Sequence, residues 1–282
     1  MTKIQDGILI TRISECQIHC ANKLFREGLI STVYVEDGHS FTKPQGMDHL
    51  VFAIRRLVRL VLMSPRSDLR QFFLWIRNLL HWHKWYGQGS YHERRMFGIA
   101  PSAFDDGLQV IRIPGVNDPG FVQMFAKKKQ SIIFVFGTVL IKKPLLSEFK
   151  VPAINLHWGW SPYYRGEGII PALAQWDLDH LGVTVHLLSE KADAGNILFQ
   201  ETIKLDEEDN FFSIGQKMAL KGADLLVQAG LHNINNTLTG VVQDLSQGKI
   251  YSGNYLLKNP DLYWQAHKNM VRFRQSRKKT GV

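Results

Sequence analysis

The sequence predicts an α/β fold: a mostly parallel sheet with helices on both faces. Three observations carry this expectation. The chain opens with an apolar strand over 7–10, a helix over 15–27 and a second apolar stretch over 29–35, the β-α-β order of a parallel sheet. The run Ser131-Ile132-Ile133-Phe134-Val135-Phe136 is almost wholly apolar and ends at Gly137, which suits a central strand buried on both faces. Short apolar runs then alternate with helical periodicity as far as a long amphipathic stretch over 210–234. Together these give a Rossmann-like arrangement.

The remaining elements follow in order. Residues 48–63 show helical periodicity flanked by arginines, Ser64-Pro65 interrupts it, and Ser67 or Asp68 can cap a second helix running to Trp85. This predicts a helical hairpin inserted at about 48–85. Residues 108–113 read as a strand, and Asn117-Asp118-Pro119-Gly120 as a turn into a helix reaching Lys129. A short helix is expected over 145–149, strands over 153–157, 183–188 and 197–203, and a helix over 169–180. The long helix takes Asp209 or Asn210 as its cap. Beyond Asn236 the signal weakens to a small strand over 251–257 and a terminal helix over 261–274. The expected organisation is a body over 1–236 and a C-terminal extension with a basic tail over 237–282.

Composition limits function. The 282 residues are 45% hydrophobic and 21% charged, which excludes a wholly disordered, collagen-like or low-complexity chain. Two cysteines, Cys16 and Cys20, exclude a disulfide scaffold, and their spacing reads as two small buried thiols on one helix face. The 34 Lys and Arg against 25 Asp and Glu leave +9, which favours anionic partners without choosing among nucleotides, nucleic acid and acidic lipid. The N-terminus lacks signal-peptide character, and the most apolar later stretch is too short and too charged to span a bilayer. A cytoplasmic location is the expectation.

Ligands of open α/β sheets bind outside the carboxyl ends of strands. Three such ends are rich in polar groups: Phe136-Gly137-Thr138-Val139, Asn155-Leu156-His157 with the loop to Gly166, and the Ser189 to Gly195 turn. Asn155 and His157, two apart on a strand, share a face. With Asp193 they form an amide, imidazole and carboxylate set suited to acyl transfer. Spacing alone equally allows a turn residue, a buried histidine and a turn former. His186, inside an apolar strand, reads as structural. No dinucleotide fingerprint, P-loop, His-Glu-x-x-His pair, Cys-x-x-Cys pair or Gly-x-Ser-x-Gly elbow occurs, and no metal is implied.

The segments INLHWGWSPYYRG, GVTVHLL and KADAGNILFQETI, in that order, resemble the folate-dependent formyltransferase family, which includes glycinamide ribonucleotide, methionyl-tRNA and amino-sugar nucleotide N-formyltransferases. The resemblance spans about 131–231, and 38 positions separate Asn155 from Asp193 (193 − 155). It implies 10-formyltetrahydrofolate as donor and an amine as acceptor. Asn155 would meet the formyl oxygen, His157 would handle protons and charge, and Asp193 would keep His157 charged or take the amine's proton through water. The pterin would lie between Val139, Leu140 and Ile141 on one side and Glu190, Lys191 and Ala192 on the other. Arg12 and Arg165 are the expected contacts to an anionic acceptor such as an amino-sugar nucleotide.

The departures from the family narrow this further. Thr11-Arg12-Ile13-Ser14 is not the glycine-bearing phosphate loop of the purine enzymes. The 89 residues after Asp193 (282 − 193) leave little room for the β-barrel of the tRNA enzymes. A formyltetrahydrofolate hydrolase, and a non-catalytic RNA- or membrane-binding protein on the same fold, remain as alternatives. A homodimer is compatible with every one of these readings.

Overall fold

The computed structural model describes residues 6–36, 73, 74, 76, 77 and 103–280. Its elements are β1 (Ile8–Thr11), α1 (Glu15–Arg26), β2 (Thr32–Glu36), β3 (Gln109–Ile113), α2 (Pro119–Phe125), β4 (Ile133–Phe136), α3 (Lys143–Leu146), β5 (Ala153–His157), β6 (Tyr164–Gly166) and α4 (Ile169–Gln175). After a 3-10 turn over Leu178–His180 come β7 (Gly182–Leu187), β8 (Ile197–Thr202) and α5 (Phe211–Ile234). A second 3-10 turn (Leu245–Gln247) precedes β9 (Lys249–Tyr251), α6 (Gly253–Lys258) and α7 (Asp261–Thr280).

The seven-stranded sheet runs β3-β2-β1-β4-β5-β7-β8. The first five strands are parallel, and β7 and β8 complete it antiparallel. The parity of the apolar residues explains its two covered faces. Leu9, Val33, Phe134, Phe136 and Leu156 join a core with α1, α4, α5 and α7. Ile8, Ile10, Tyr34, Ile133 and Val135 join a second core with Phe121, Phe125 and Leu145 of α2 and α3. Successive strand residues point to opposite faces, so a strand covered on both sides reads as a near-continuous apolar run, as β4 does. The expected α/β fold is the one observed.

Helix α5 begins at a capping box. The Asn210 side chain accepts from the Phe212 and Ser213 amides at 2.8 and 3.0 Å, and the Asn210 amide donates to Ser213 Oγ at 2.9 Å. The helix lies close on the sheet because it turns small residues inward. A Cβ at Gly222 would come within 2.5 Å of a Leu156 methyl, and one at Gly230 within 2.8 Å of a Leu29 methyl.

Several expected boundaries move. β2 starts at Thr32, because Leu29 and Ile30 are buried in the turn that precedes it. α2 stops at Phe125, ahead of the Lys127–Lys129 run, and the short helix after β4 starts two residues earlier, at Lys143. α4 ends at Gln175 because Trp176 takes a left-handed backbone, φ 56°. The strand expected over 251–257 is β9 followed by a helix, which Ser252 caps by accepting from the Tyr255 amide. β6 was not expected; it pairs in parallel with β9. The terminal helix reaches Thr280. The helical hairpin and its Ser67 or Asp68 cap lie outside the described residues, except that 73, 74, 76 and 77 are helical. Arg77 stacks 4.3 Å over Trp264 of α7 and lies 3.6 Å from Asp261.

Candidate active site

Asn155 and His157, the third and fifth residues of β5, point to one face near its carboxyl end. The antiparallel register sets His186 of β7 opposite Asn155 and Thr184 opposite His157. The β7–β8 connection then folds back over this face and delivers Asp193. Asp193 has a left-handed backbone, φ 50°. Two residues on, the turn is so tight that a Cβ on Gly195 would sit 1.7 Å from the Leu187 carbonyl.

Asp193 stands between two imidazoles. Its Oδ2 lies 3.5 Å from His157 Nδ1 and its Oδ1 lies 3.4 Å from His186 Nε2. The Gly166 amide donates to Oδ2 at 2.8 Å, and Asn155 Nδ2 lies 3.5 Å from Oδ1. Each histidine has its other nitrogen on a carbonyl oxygen: His157 Nε2 on Tyr164 and His186 Nδ1 on Leu187, both at 2.8 Å. A carbonyl only accepts, so those nitrogens carry protons. His157 Nδ1 is therefore the nitrogen free to gain or lose a proton, and it faces the carboxylate. His186 Nε2 also lies 3.1 Å from Asn155 Nδ2. The imidazoles are buried, whereas Asn155 and Asp193 are only partly covered.

Burial pushes the Asp193 carboxyl up. The charge of His157, the hydrogen bond and charge of His186 and the Gly166 amide outweigh it, so the group is held well below the ordinary carboxylate range. Asp193 is a persistent anion.

The walls of the site are braced. Thr184 Oγ1 donates to the Gly159 carbonyl at 2.8 Å and accepts from the Ser161 amide at 3.0 Å and from Gln200 Nε2 at 2.9 Å. The Asp193 carbonyl accepts from Ser161 Oγ at 3.2 Å and from Gln243 Nε2 at 3.1 Å.

Val139 and Leu140 are exposed and Ile141 is buried in the apolar cluster against which Leu188 also packs. The Val139 amide lies 3.4 Å from Glu36 Oε2, and the Leu140 carbonyl accepts from Asn117 Nδ2 at 2.9 Å. Glu190 and Lys191 are exposed and Ala192 is half-buried. Arg12 is held through its Nε by buried Glu36 at 3.3 Å. Arg165 lies in β6 between the Tyr164 carbonyl and the Gly166 amide, its buried Nε lacking a hydrogen-bond partner.

The sequence reading missed His186, Thr184 and Gln243. His186 and Thr184 lie in the GVTVHLL segment that carries the resemblance, but only the β5–β7 register shows that they face Asn155 and His157. No group of three or more His, Cys, Asp or Glu among the described residues is arranged to hold a metal ion. No helix among them is long and apolar enough to cross a membrane.

Residues 117–229 match the formyl transferase family. A methionyl-tRNA formyltransferase from Syntrophus aciditrophicus is 34% identical over 128 residues, which are 43% of this chain and 39% of that protein, so the chain matches well under half the length of this curated relative. A 4-N formyltransferase from Francisella tularensis shares the fold at a TM-score of 0.54 and 14% identity, covering 93% of this chain and 88% of that one. An N-formyltransferase from Helicobacter canadensis, solved with folinic acid and dTDP-3-aminofucose, also gives a TM-score of 0.54, at 13% identity over 89% of this chain and 72% of that one.

Proposed function

We propose that this chain, whose residues 117–229 match the formyl transferase family, moves a formyl group from 10-formyltetrahydrofolate to a primary amine of a small anionic acceptor such as an amino-sugar nucleotide. The observation that carries the reading is the convergence of Asn155, His157, His186 and Asp193 at the end of β5. The Helicobacter canadensis neighbour, solved with both a folate and an amino-sugar nucleotide, supports the choice of donor and acceptor.

Formyl-folate supplies the one-carbon unit. The loops at Val139, Leu140 and Ile141 and at Glu190, Lys191 and Ala192 flank the pterin, and their backbone groups read its edge. As the amine attacks the formyl carbon, negative charge grows on the formyl oxygen and positive charge on the amine. Asn155 Nδ2 donates to that oxygen. The C–N10 bond breaks as the new C–N bond forms, the amine gives up one proton and N10 takes one. An anion held as firmly as Asp193 is a poor store for that proton. It stabilises the imidazolium instead, and His157 Nδ1 moves the proton. Arg165, with Arg12 seated on Glu36, supplies positive charge for the acceptor's anionic part.

The test is incubation with 10-formyltetrahydrofolate and a panel of amines, read as a gain of formyl mass. The panel includes sugar nucleotides bearing amino groups and, because the curated relative is a methionyl-tRNA formyltransferase, methionyl-tRNA. Formate release at a rate indifferent to every amine would mark a hydrolase and refute the transfer reading.

A further inference from the structure

The catalytic reading uses groups from β5, β7 and the Asp193 turn, but the turn does not hold itself. A non-glycine residue at φ 50° persists only where its surroundings over-determine it, although Asp tolerates this region better than most residues. Ser161 Oγ supplies one restraint on the Asp193 carbonyl. The other comes from a segment about 50 residues downstream, beyond the part of the chain that matches the formyl transferase family.

Gln243 Nε2 donates to the Asp193 carbonyl at 3.1 Å and to the Gly195 carbonyl at 2.5 Å, so its two N–H groups span the turn. Its Oε1 is buried with no hydrogen-bond partner, which leaves donation as the use of this amide. Gln243 is aimed by its neighbours: Val241 and Ile197 exchange both backbone hydrogen bonds at 2.8 Å, anchoring the segment to the edge of β8. The same segment then reaches the opposite wall of the site. Tyr163 Oη donates to Gln247 Oε1 at 2.9 Å, β9 pairs with β6, and the Glu167 amide donates to the Tyr251 carbonyl at 2.7 Å. That wall carries the Gly166 amide that donates to the Asp193 carboxylate.

We propose that Gln243 is a positioning residue for the Asp193 turn, and that residues 241–251 form a strap fastening the two walls of the site so that the carboxylate meets both imidazoles and the Gly166 amide. The proposal rests on the reading of Asp193 as part of the active site.

Three variants test it in the full chain. Gln243→Met keeps length and removes both donors, Gln243→Glu is isosteric and sets an acceptor against two carbonyls, and Gln243→Lys restores a donor at similar length. Displacement of a catalytic group by about 1 Å costs up to about 100-fold, so Met and Glu should lower kcat by about 10- to 100-fold. The acceptor KM should stay within about twofold, and Lys should recover most of the rate. Exchange of the Gly166 amide should be faster in Met and Glu and near native in Lys, and this readout needs no turnover.

A folded Met or Glu variant with kcat within about twofold of native overturns the proposal. So does a loss of kcat with unchanged Gly166 exchange, because the effect then does not run through the turn. If the native protein transfers no formyl group, the functional reading fails, and Gly166 exchange alone then decides whether Gln243 holds the turn.

Discussion

Replacing Asp193 with Asn isolates the charge that the proposed chemistry depends on. The two side chains have nearly the same shape, and an Asn oxygen can still accept from the Gly166 amide that Asp193 receives at 2.8 Å. What disappears is the anion 3.5 Å from His157 Nδ1 and 3.4 Å from His186 Nε2. At an effective dielectric of about 20, unit charges 3.5 Å apart attract by about 5 kcal/mol, an upper bound for each pair. An imidazolium forming during proton transfer loses that support. The expected fall in kcat is about 10²- to 10⁴-fold, equivalent to about 3–5.5 kcal/mol of barrier.

Stability supplies an independent check of the same charge. The carboxyl is held below its unfolded value, so its contribution is present above about pH 5 and is lost progressively as pH falls from there through the folded pKa. The stability gap between native protein and Asp193→Asn should therefore narrow as pH falls below about 5. The assays are formyl transfer to the identified acceptor and chemical denaturation across pH. A folded Asp193→Asn protein that keeps more than a tenth of native kcat, with a gap that does not change with pH, would refute the reasoning.

Asn155→Ala removes the proposed oxyanion donor and should lower kcat by about 10²–10³-fold with the circular dichroism unchanged. His157→Ala should cost about 10²–10⁴-fold, and combining it with Asp193→Asn should cost far less than the product of the single losses, as a double-mutant cycle will show. Asn210→Ala removes two accepted hydrogen bonds at the start of α5 and should destabilise the fold by about 1 kcal/mol in denaturant titration. Burial pushes the Cys20 thiol up to about 12, so thiol reagents at pH 8 should label it no faster than the protein opens.

Much of this architecture was legible because it is locally encoded. The strand Ala153–His157 falls where the apolar run predicted it, and Asn210 announces its helix with a cap. The two covered faces follow from the apolar run that forms β4. What could not be read is set by pairing. His186 lies in a segment that carries the family resemblance, yet periodicity reads it as a structural residue, and only the register puts it beside Asn155. β6 is three residues, Tyr-Arg-Gly, with no strand signal of its own, and exists because β9 lies beside it. The seating of Arg12 Nε on Glu36, at the end of the neighbouring strand, is likewise invisible in the local sequence. The end of α4 turns on the backbone angle of Trp176, a residue type whose sequence gives no hint of a left-handed conformation.

The parallel pairing of Tyr164–Gly166 with Lys249–Tyr251 also has a consequence for how the molecule is made. Two parallel strands this far apart in the chain cannot meet through a local turn, and such distant pairings form late because loop closure must precede any gain from contact. A chain synthesised from its N-terminus has β1 to β5 and both histidines in hand before residue 249 exists. The sheet can therefore assemble while the pocket beside it is still unfinished, and closure of the pocket waits for residues 249–251 to emerge. Full-length protein and nascent chains stopped before residue 249 should thus differ in the site far more than in secondary structure.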